Sequence, residues 1–355
     1  MINKEFELHP LFEQFIVASK TGKRLKKDGS RIRTGTIRQY EIVRDELKRF
    51  SIKENYSLVI RNALRMNARA LKSEHVYWKR FYRRYTDYLY SIGCFDNYAG
   101  SHFKIIRAFF NFLKQEKGIF TGDFHKNFYV RNENIPIVVL SHDQLQFLIN
   151  NAEFENSLRE YLKRTKDIFV FGCTVGLRFS DLMKLTKKNL EKSGNSINLC
   201  VRSVKTSTDT KIKLPPYAID IIYRYRRNKT LLPVLSNARL NDNLKLLCEK
   251  AGWIHEVDKI RERRGVTKKI NNNGKSYRFC DLITTHTMRR TAITTLLSLG
   301  MPETMVRKIS GHAANSKEFY RYVNYAQQYI DKETDRIFDT LFLPKNASEK
   351  LIEIS

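Results

Sequence analysis

The sequence predicts a mainly helical chain with a small β component, an α+β fold in two parts. Three observations predict it. Apolar residues recur at helical spacing through most of the 355 residues. Only two short stretches, Ile197-Leu199-Val201 and Ile212-Leu214, alternate apolar with polar as strands do. A mixed polar segment containing Pro136 separates an aromatic-rich first part from the rest. The division is a helical domain over 1–130, a linker over 131–140, a second domain over 141–335 and a tail over 336–355.

The first part reads as four helices. Phe12, Phe15 and Ile16 form one stripe, followed by a basic loop from Lys20 to Arg33 that contains Lys23 and Arg24. A second helix starts near Thr36, with Ile37, Tyr40, Val43 and Leu47 on one face. A third carries Trp78, Phe81, Tyr82, Tyr85, Tyr88 and Leu89. A fourth is expected from Ser101, as N-cap, to Gly118, as the residue past its end. These aromatic stripes read as helical core, not as base-stacking platforms. Arg80, Arg83, Arg84, Lys104 and Arg107 fall between stripe positions and face outward.

In the second part Ser141-His142-Asp143-Gln144 has the spacing of a capping box. The helix it opens is followed by one through Tyr161 and Ile168 that ends between Gly172 and Gly176. The two alternating stretches then pair as a hairpin with Lys205 near its turn. Helices return at Pro216–Asn228 and Leu240–Ala251. Residues 254–280 are basic and read as a second hairpin or a loop. The remainder is helical over about 287–299, 302–310 and 316–333.

Lys and Arg exceed Asp and Glu by 28 charges, and they are spread along the whole chain. Folding does not need such an excess, so a polyanionic partner is the natural reading, and a wrapped duplex fits better than a basic tail would. The first residues include Lys4, Glu5 and Glu7 and so lack the apolar core of a secretory leader. Apolar runs such as Ile135 to Leu140 are far too short to span a bilayer. Cys94, Cys173, Cys200, Cys248 and Cys280 are scattered, as in a reduced, cytoplasmic protein. They form no zinc pattern with the histidines, and no phosphate-binding glycine loop points to ATP.

One series of residues names a reaction. Arg178 sits in Thr174-Val175-Gly176-Leu177-Arg178-Phe179-Ser180-Asp181, and His286 and Arg289 in Thr285-His286-Thr287-Met288-Arg289-Arg290. His312 follows in Ile309-Ser310-Gly311-His312, and Tyr322 in Phe319-Tyr320-Arg321-Tyr322-Val323. Two guanidiniums can clamp the non-bridging oxygens of a phosphodiester and stabilise the charge that grows as it is attacked. A phenol, activated by positive charge and a nearby acceptor, is a nucleophile. Imidazoles can hold the phosphate or take the phenol proton. A lysine on a hairpin can reach the leaving oxygen, and Asp181, three residues after Arg178, can orient the site.

On these residues the chain resembles the tyrosine recombinase (phage integrase) family, of the mobile-element type. The arginine box gives Arg178 with Asp181. Val204-Lys205-Thr206, followed by Lys213-Leu214-Pro215, resembles the hairpin lysine segment and gives Lys205. His286-x-x-Arg289 resembles the His-x-x-Arg box. Ser310-Gly311-His312 resembles the Leu-Gly-His box, from which Ser310 is a mild departure. Phe319 to Val323 resembles the nucleophile segment. The surrounding pattern favours Tyr322, with Tyr320 and Tyr325 as the alternatives.

The resemblance implies a core-binding domain and a catalytic domain forming a C-shaped clamp on duplex DNA. It also implies a covalent 3′-phosphotyrosine intermediate, a homotetramer on the DNA, and no metal or ATP. Accessory DNA-bending proteins are compatible with it. A topoisomerase with the same chemistry and an inactive DNA-binding protein are the competing readings. Lys23, Arg24, Arg80, Arg84, Lys104, Arg107 and Arg290 are the expected DNA contacts. The tail is expected to pack on a neighbouring subunit or to dock in cis.

Overall fold

The structure, a computed structural model, describes residues 5–202, 209–312 and 316–342. In chain order the elements are β1 (Glu5–Glu7), α1 (Leu8–Thr21), α2 (Thr34–Lys53), β2 (Val59–Arg61), α3 (Ala68–Ser91) and α4 (Asp96–Glu116). Then follow α5 (His142–Asn150), α6 (Ala152–Ser157), α7 (Glu160–Val175), α8 (Phe179–Leu182), β3 (Leu190–Ser193), β4 (Ser196–Arg202), β5 (Asp209–Lys213), α9 (Pro216–Arg224) and α10 (Asn237–Lys250). The last are β6 (Glu256–Val257), β7 (Lys259–Arg263), β8 (Val266–Ile270), β9 (Tyr277–Arg278), α11 (Phe279–Leu282), α12 (Thr285–Ser298), α13 (Glu303–Ser310) and α14 (Lys317–Phe342). The fold is mainly helical with small antiparallel sheets, as the periodicities predict.

The chain divides into two compact units. One comprises residues 1–135 together with 260–270; the other comprises 136–259 and 271–355. The first unit packs α1 to α4 around an aromatic core. Phe12, Phe15, Trp78, Phe81, Tyr85, Phe103, Phe109 and Phe110 are all essentially inaccessible to solvent. Their rings meet mostly edge to face, as Trp78 does on Phe110 at 4.8 Å. The helix α4 begins at Asp96, five residues before the expected Ser101, with Phe95 at the N-cap position. Asp96 accepts hydrogen bonds from the Tyr90 hydroxyl and from backbone amides at 264 and 265, a long-range demand that local capping signals do not carry.

Those amides belong to the β7–β8 hairpin, so the basic 254–280 stretch holds the hairpin form of the two expected there. Its arginines anchor it to the helical unit. Arg261 makes a bidentate pair with Glu133 at 2.6 and 2.9 Å, and the Glu133 side chain is completely buried. Arg264 pairs with Asp87, and the guanidiniums of Arg261 and Arg263 lie 4.4 and 4.7 Å from the centre of the Phe95 ring.

In the second unit Ser141 caps α5 with the reciprocal bonds of the expected capping box. The expected hairpin forms from β4 and β5, with Leu199 opposite Ile212. A third strand, β3, completes the sheet. The unit's core centres on α7, where Ile168, Phe169 and Phe171 are fully buried. The last helix, α14, runs to Phe342, past the expected end near 333. Lys205, expected near the turn of this hairpin, and the chain after 342 lie outside the described residues.

Candidate active site

Three features of the sequence place Arg289. The first turn of α12 is pinned by α10: the Asn241 side chain accepts from the Thr285 amide at 2.8 Å, and that of Asn237 from the Thr285 hydroxyl at 2.8 Å. The helices α7 and α12 then approach closely at Gly172, where a β-carbon would collide with the Met288 side chain. Finally, α7 ends at Gly176, which is left-handed (φ 63°) and turns its carbonyl toward α12. That carbonyl accepts from Arg289 Nη1 at 2.8 Å.

Arg289 is 5% exposed. Its other terminal nitrogen donates to the Ser310 carbonyl at 2.6 Å and lies 3.3 Å from both ring nitrogens of His312. Burial, and next the neighbouring Arg178, push its guanidinium down to about 10, while Tyr322 and Asp181 act the other way. It stays charged at neutral pH. Arg178 is the N-cap residue of the one-turn helix α8, and the buried Asp181 follows one turn on.

His312 follows the left-handed Gly311 that ends α13. Burial first, then Arg289, Arg178 and Arg307, push its imidazole down to about 3, so it is neutral at physiological pH. Tyr322, on α14, has its ring centre 5.9 Å from that of His312. Tyr320 is half-exposed and lies against Arg307 instead, at 5.0 Å. Tyr325 is 38% exposed. Five expected residues thus form one electrostatic cluster: Arg178, Asp181, Arg289, His312 and Tyr322. They come from α8, α12, the end of α13 and α14.

Of the remaining expected site residues, His286 sits one turn before Arg289 on α12 and is exposed. Lys205 lies outside the described residues. Sequence reasoning did not single out two contributors. Arg307 is buried over the Phe319 ring at 3.9 Å, and its carbonyl accepts from the His312 amide at 3.0 Å. Ser310 holds Arg289 through its carbonyl and His312 through its hydroxyl. Position 310 did differ from the family box, which is the one signal that marked it.

Among the expected DNA contacts, Lys23, Arg80 and Lys104 are exposed, while Arg24, Arg84, Arg107 and Arg290 are half-buried. Arg24 covers the Phe15 ring, and Arg84 is paired with Glu54 at 3.0 Å. The exposed face of α3 adds Arg69, Lys72, Lys79 and Arg83. No helix among the described residues is long and apolar enough to cross a membrane.

The fold matches solved structures of tyrosine recombinases. Superposed on a lambda integrase dimer bound to a COC′ core site, it gives a TM-score of 0.58 at 10% identity, over 90% of this chain and 77% of that one. The Tn1549 transposon integrase in complex with a circular intermediate DNA gives 0.58 at 16% identity, over 90% and 94%. The XerH site-specific recombinase bound to palindromic difH substrate gives 0.53 at 13%, over 83% and 75%. No curated protein sequence matches the chain. The model of the Phage integrase family matches residues 138–328, and the chain belongs to that family.

Proposed function

We propose that this protein is a site-specific DNA recombinase that cleaves and rejoins duplex DNA through a covalent 3′-phosphotyrosine. The observation that carries this reading is the convergence of Arg178, His312 and Tyr322 on the buried guanidinium of Arg289, which is held on backbone carbonyls. The Tyr322 oxygen attacks the phosphorus, and the bond to the 5′ oxygen breaks. Arg178 and Arg289 bind the non-bridging oxygens and stabilise the added negative charge. His312 takes the phenol proton, and Lys205 supplies one to the leaving 5′ oxygen. Asp181 orients the arginines, and His286 holds the phosphate from the outer turn of α12. The phosphotyrosine conserves the energy of the broken bond, and attack by a 5′ hydroxyl of another duplex reverses the step.

Duplex DNA is the partner. Lys23, Arg24, Arg80, Arg84, Lys104, Arg107 and Arg290 contact its backbone, and the active assembly is a homotetramer with DNA-bending accessory proteins where the site requires them. The role is integration or excision of a phage or other mobile element, in the cytoplasm.

Covalent trapping on nicked suicide DNA that carries the element's junction tests this reading. A Tyr322 adduct formed without added metal, and joining of two different duplexes, are the expected results. Tyr322→Phe binds the same DNA and forms no adduct. An adduct mapped to Tyr320 or Tyr325 moves the nucleophile, and relaxation of supercoils without joining identifies a topoisomerase. Tight binding to a verified junction with no adduct removes the enzymatic reading.

A further inference from the structure

We propose that Ser310 is a positioning residue that fixes His312 as the tautomer protonated on Nδ1, which makes Nε2 the acceptor atom of the site. The inference rests on the reading of His312 as a site residue, and it concerns which atom of that residue acts.

A serine hydroxyl has one proton to donate and lone pairs to accept with. The Ser310 oxygen, on a side chain buried at the end of α13, lies 2.7 Å from the Val306 carbonyl and 2.7 Å from His312 Nδ1. A carbonyl oxygen only accepts. Two oxygens at 2.7 Å with no proton between them repel, so the hydroxyl proton is committed to Val306. The contact with His312 is then satisfied only if Nδ1 carries a hydrogen and donates it to Ser310. A neutral imidazole has one N–H, so Nε2 keeps its lone pair. The charged Arg289 nitrogen lies 3.3 Å from both ring nitrogens and does not choose between them, so the choice falls to the Ser310 hydroxyl. A leucine at 310, as in the family box, offers no such oxygen, so the device belongs to this chain's departure from that pattern.

The assignment separates two jobs. An Nε2 that bears a lone pair takes the Tyr322 proton; one that bears a hydrogen donates to a phosphate oxygen. Ser310 selects the first. Its carbonyl, which holds Arg289, is backbone and survives any side-chain change.

The test is nitrogen-15 NMR of the full-length protein carrying ring-labelled histidine, with the His312 signals assigned by His312→Gln. The wild type is expected to show a protonated Nδ1 and an unprotonated Nε2 at neutral pH. Ser310→Ala is expected to lose that preference and to slow single-turnover cleavage by about tenfold with unchanged DNA affinity. Ser310→Thr, which keeps the hydroxyl, is expected to restore both. A wild type with its hydrogen on Nε2 overturns the proposal whatever the variants do, as does an Ser310→Ala protein with an unchanged tautomer. If the alanine variant does not fold, the wild-type spectrum still decides. The tautomer is read without DNA, so a protein that cleaves nothing leaves this inference standing while the functional reading fails.

Discussion

The molecule holds two clusters of arginines, and they are built on opposite terms. On the β7–β8 hairpin Arg261 and Arg264 are answered by the carboxylates of Glu133 and Asp87. At the candidate site the buried Arg289 makes its hydrogen bonds, among the described residues, to two carbonyl oxygens and a neutral imidazole. One carboxylate, Asp181, acts on it against the like charge of Arg178. Carboxylates cancel the charge they hold, whereas carbonyls orient a guanidinium and leave its charge in place. The first arrangement anchors a piece of chain. The second keeps positive charge inside the protein, where an incoming phosphate gains most from it.

Arg289→Ala and Arg178→Ala probe the second arrangement and carry the largest expected effect. Each should slow single-turnover cleavage by about a thousandfold, with much of the salt-dependent DNA binding retained. If both variants still cleave at normal rates, the charge held on carbonyls is not catalytic and the contrast collapses.

Glu133→Gln probes the first arrangement. It leaves Arg261 facing a neutral group and should cost about 3 kcal/mol in chemical unfolding. Under saturating DNA at low temperature the chemical step should be untouched. A variant as stable as the wild type would show that the carboxylate anchors nothing.

Acid titration sharpens the same comparison. Burial acts to raise the Glu133 carboxyl, but hydrogen bonds from Arg261 and from the Asn97 and Glu262 amides outweigh it and hold the group below its ordinary range. Its stabilisation is therefore present above the ordinary carboxylate value and is lost as pH falls through the lower folded one. His312, pushed down from 6.5 to about 3, favours the neutral form in the fold. Its contribution is complete above 6.5 and drains away as pH falls from there toward 3. Unfolding measured from pH 8 down to about pH 2 should show the His312 part vanish in His312→Gln and, below the ordinary carboxylate range, the Glu133 part vanish in Glu133→Gln.

The smallest effect is expected from a single outward charge. Lys104→Gln should weaken DNA binding uniformly across sequences and lower the slope of log affinity against log salt by about 1. An unchanged slope would remove Lys104 from the interface.

The sequence carried the helical class, the capping box at Ser141 and the β4–β5 hairpin because each depends on neighbours within a few residues. The order of the site residues was also legible, since Arg178, Arg289, His312 and Tyr322 each sit in a local motif. Their roles in packing were not. Nothing near Arg289 in sequence states that its partners are the carbonyls of Gly176 and Ser310, residues 113 and 21 positions away. The early start of α4 escaped for the same reason, because the groups that use Asp96 lie 168 and 169 residues on. Tyr320 and Tyr322 could be ranked only by pattern. Packing distinguishes them physically, with one against Arg307 and the other against His312.

The hairpin also bears on how such a chain can be inherited in parts. Residues 260–270 belong with the helical unit, though more than a hundred residues of the other unit precede them in the chain. A single exchange between genes near position 135 would bring in a new helical unit with its own equivalents of Asp87, Asp96 and Glu133, while the old arginines stayed behind. The receptor and its ligand are thus two loci that must change together. Chimaeras made at the 135 boundary should be viable only when the 260–270 segment travels with its helical partner.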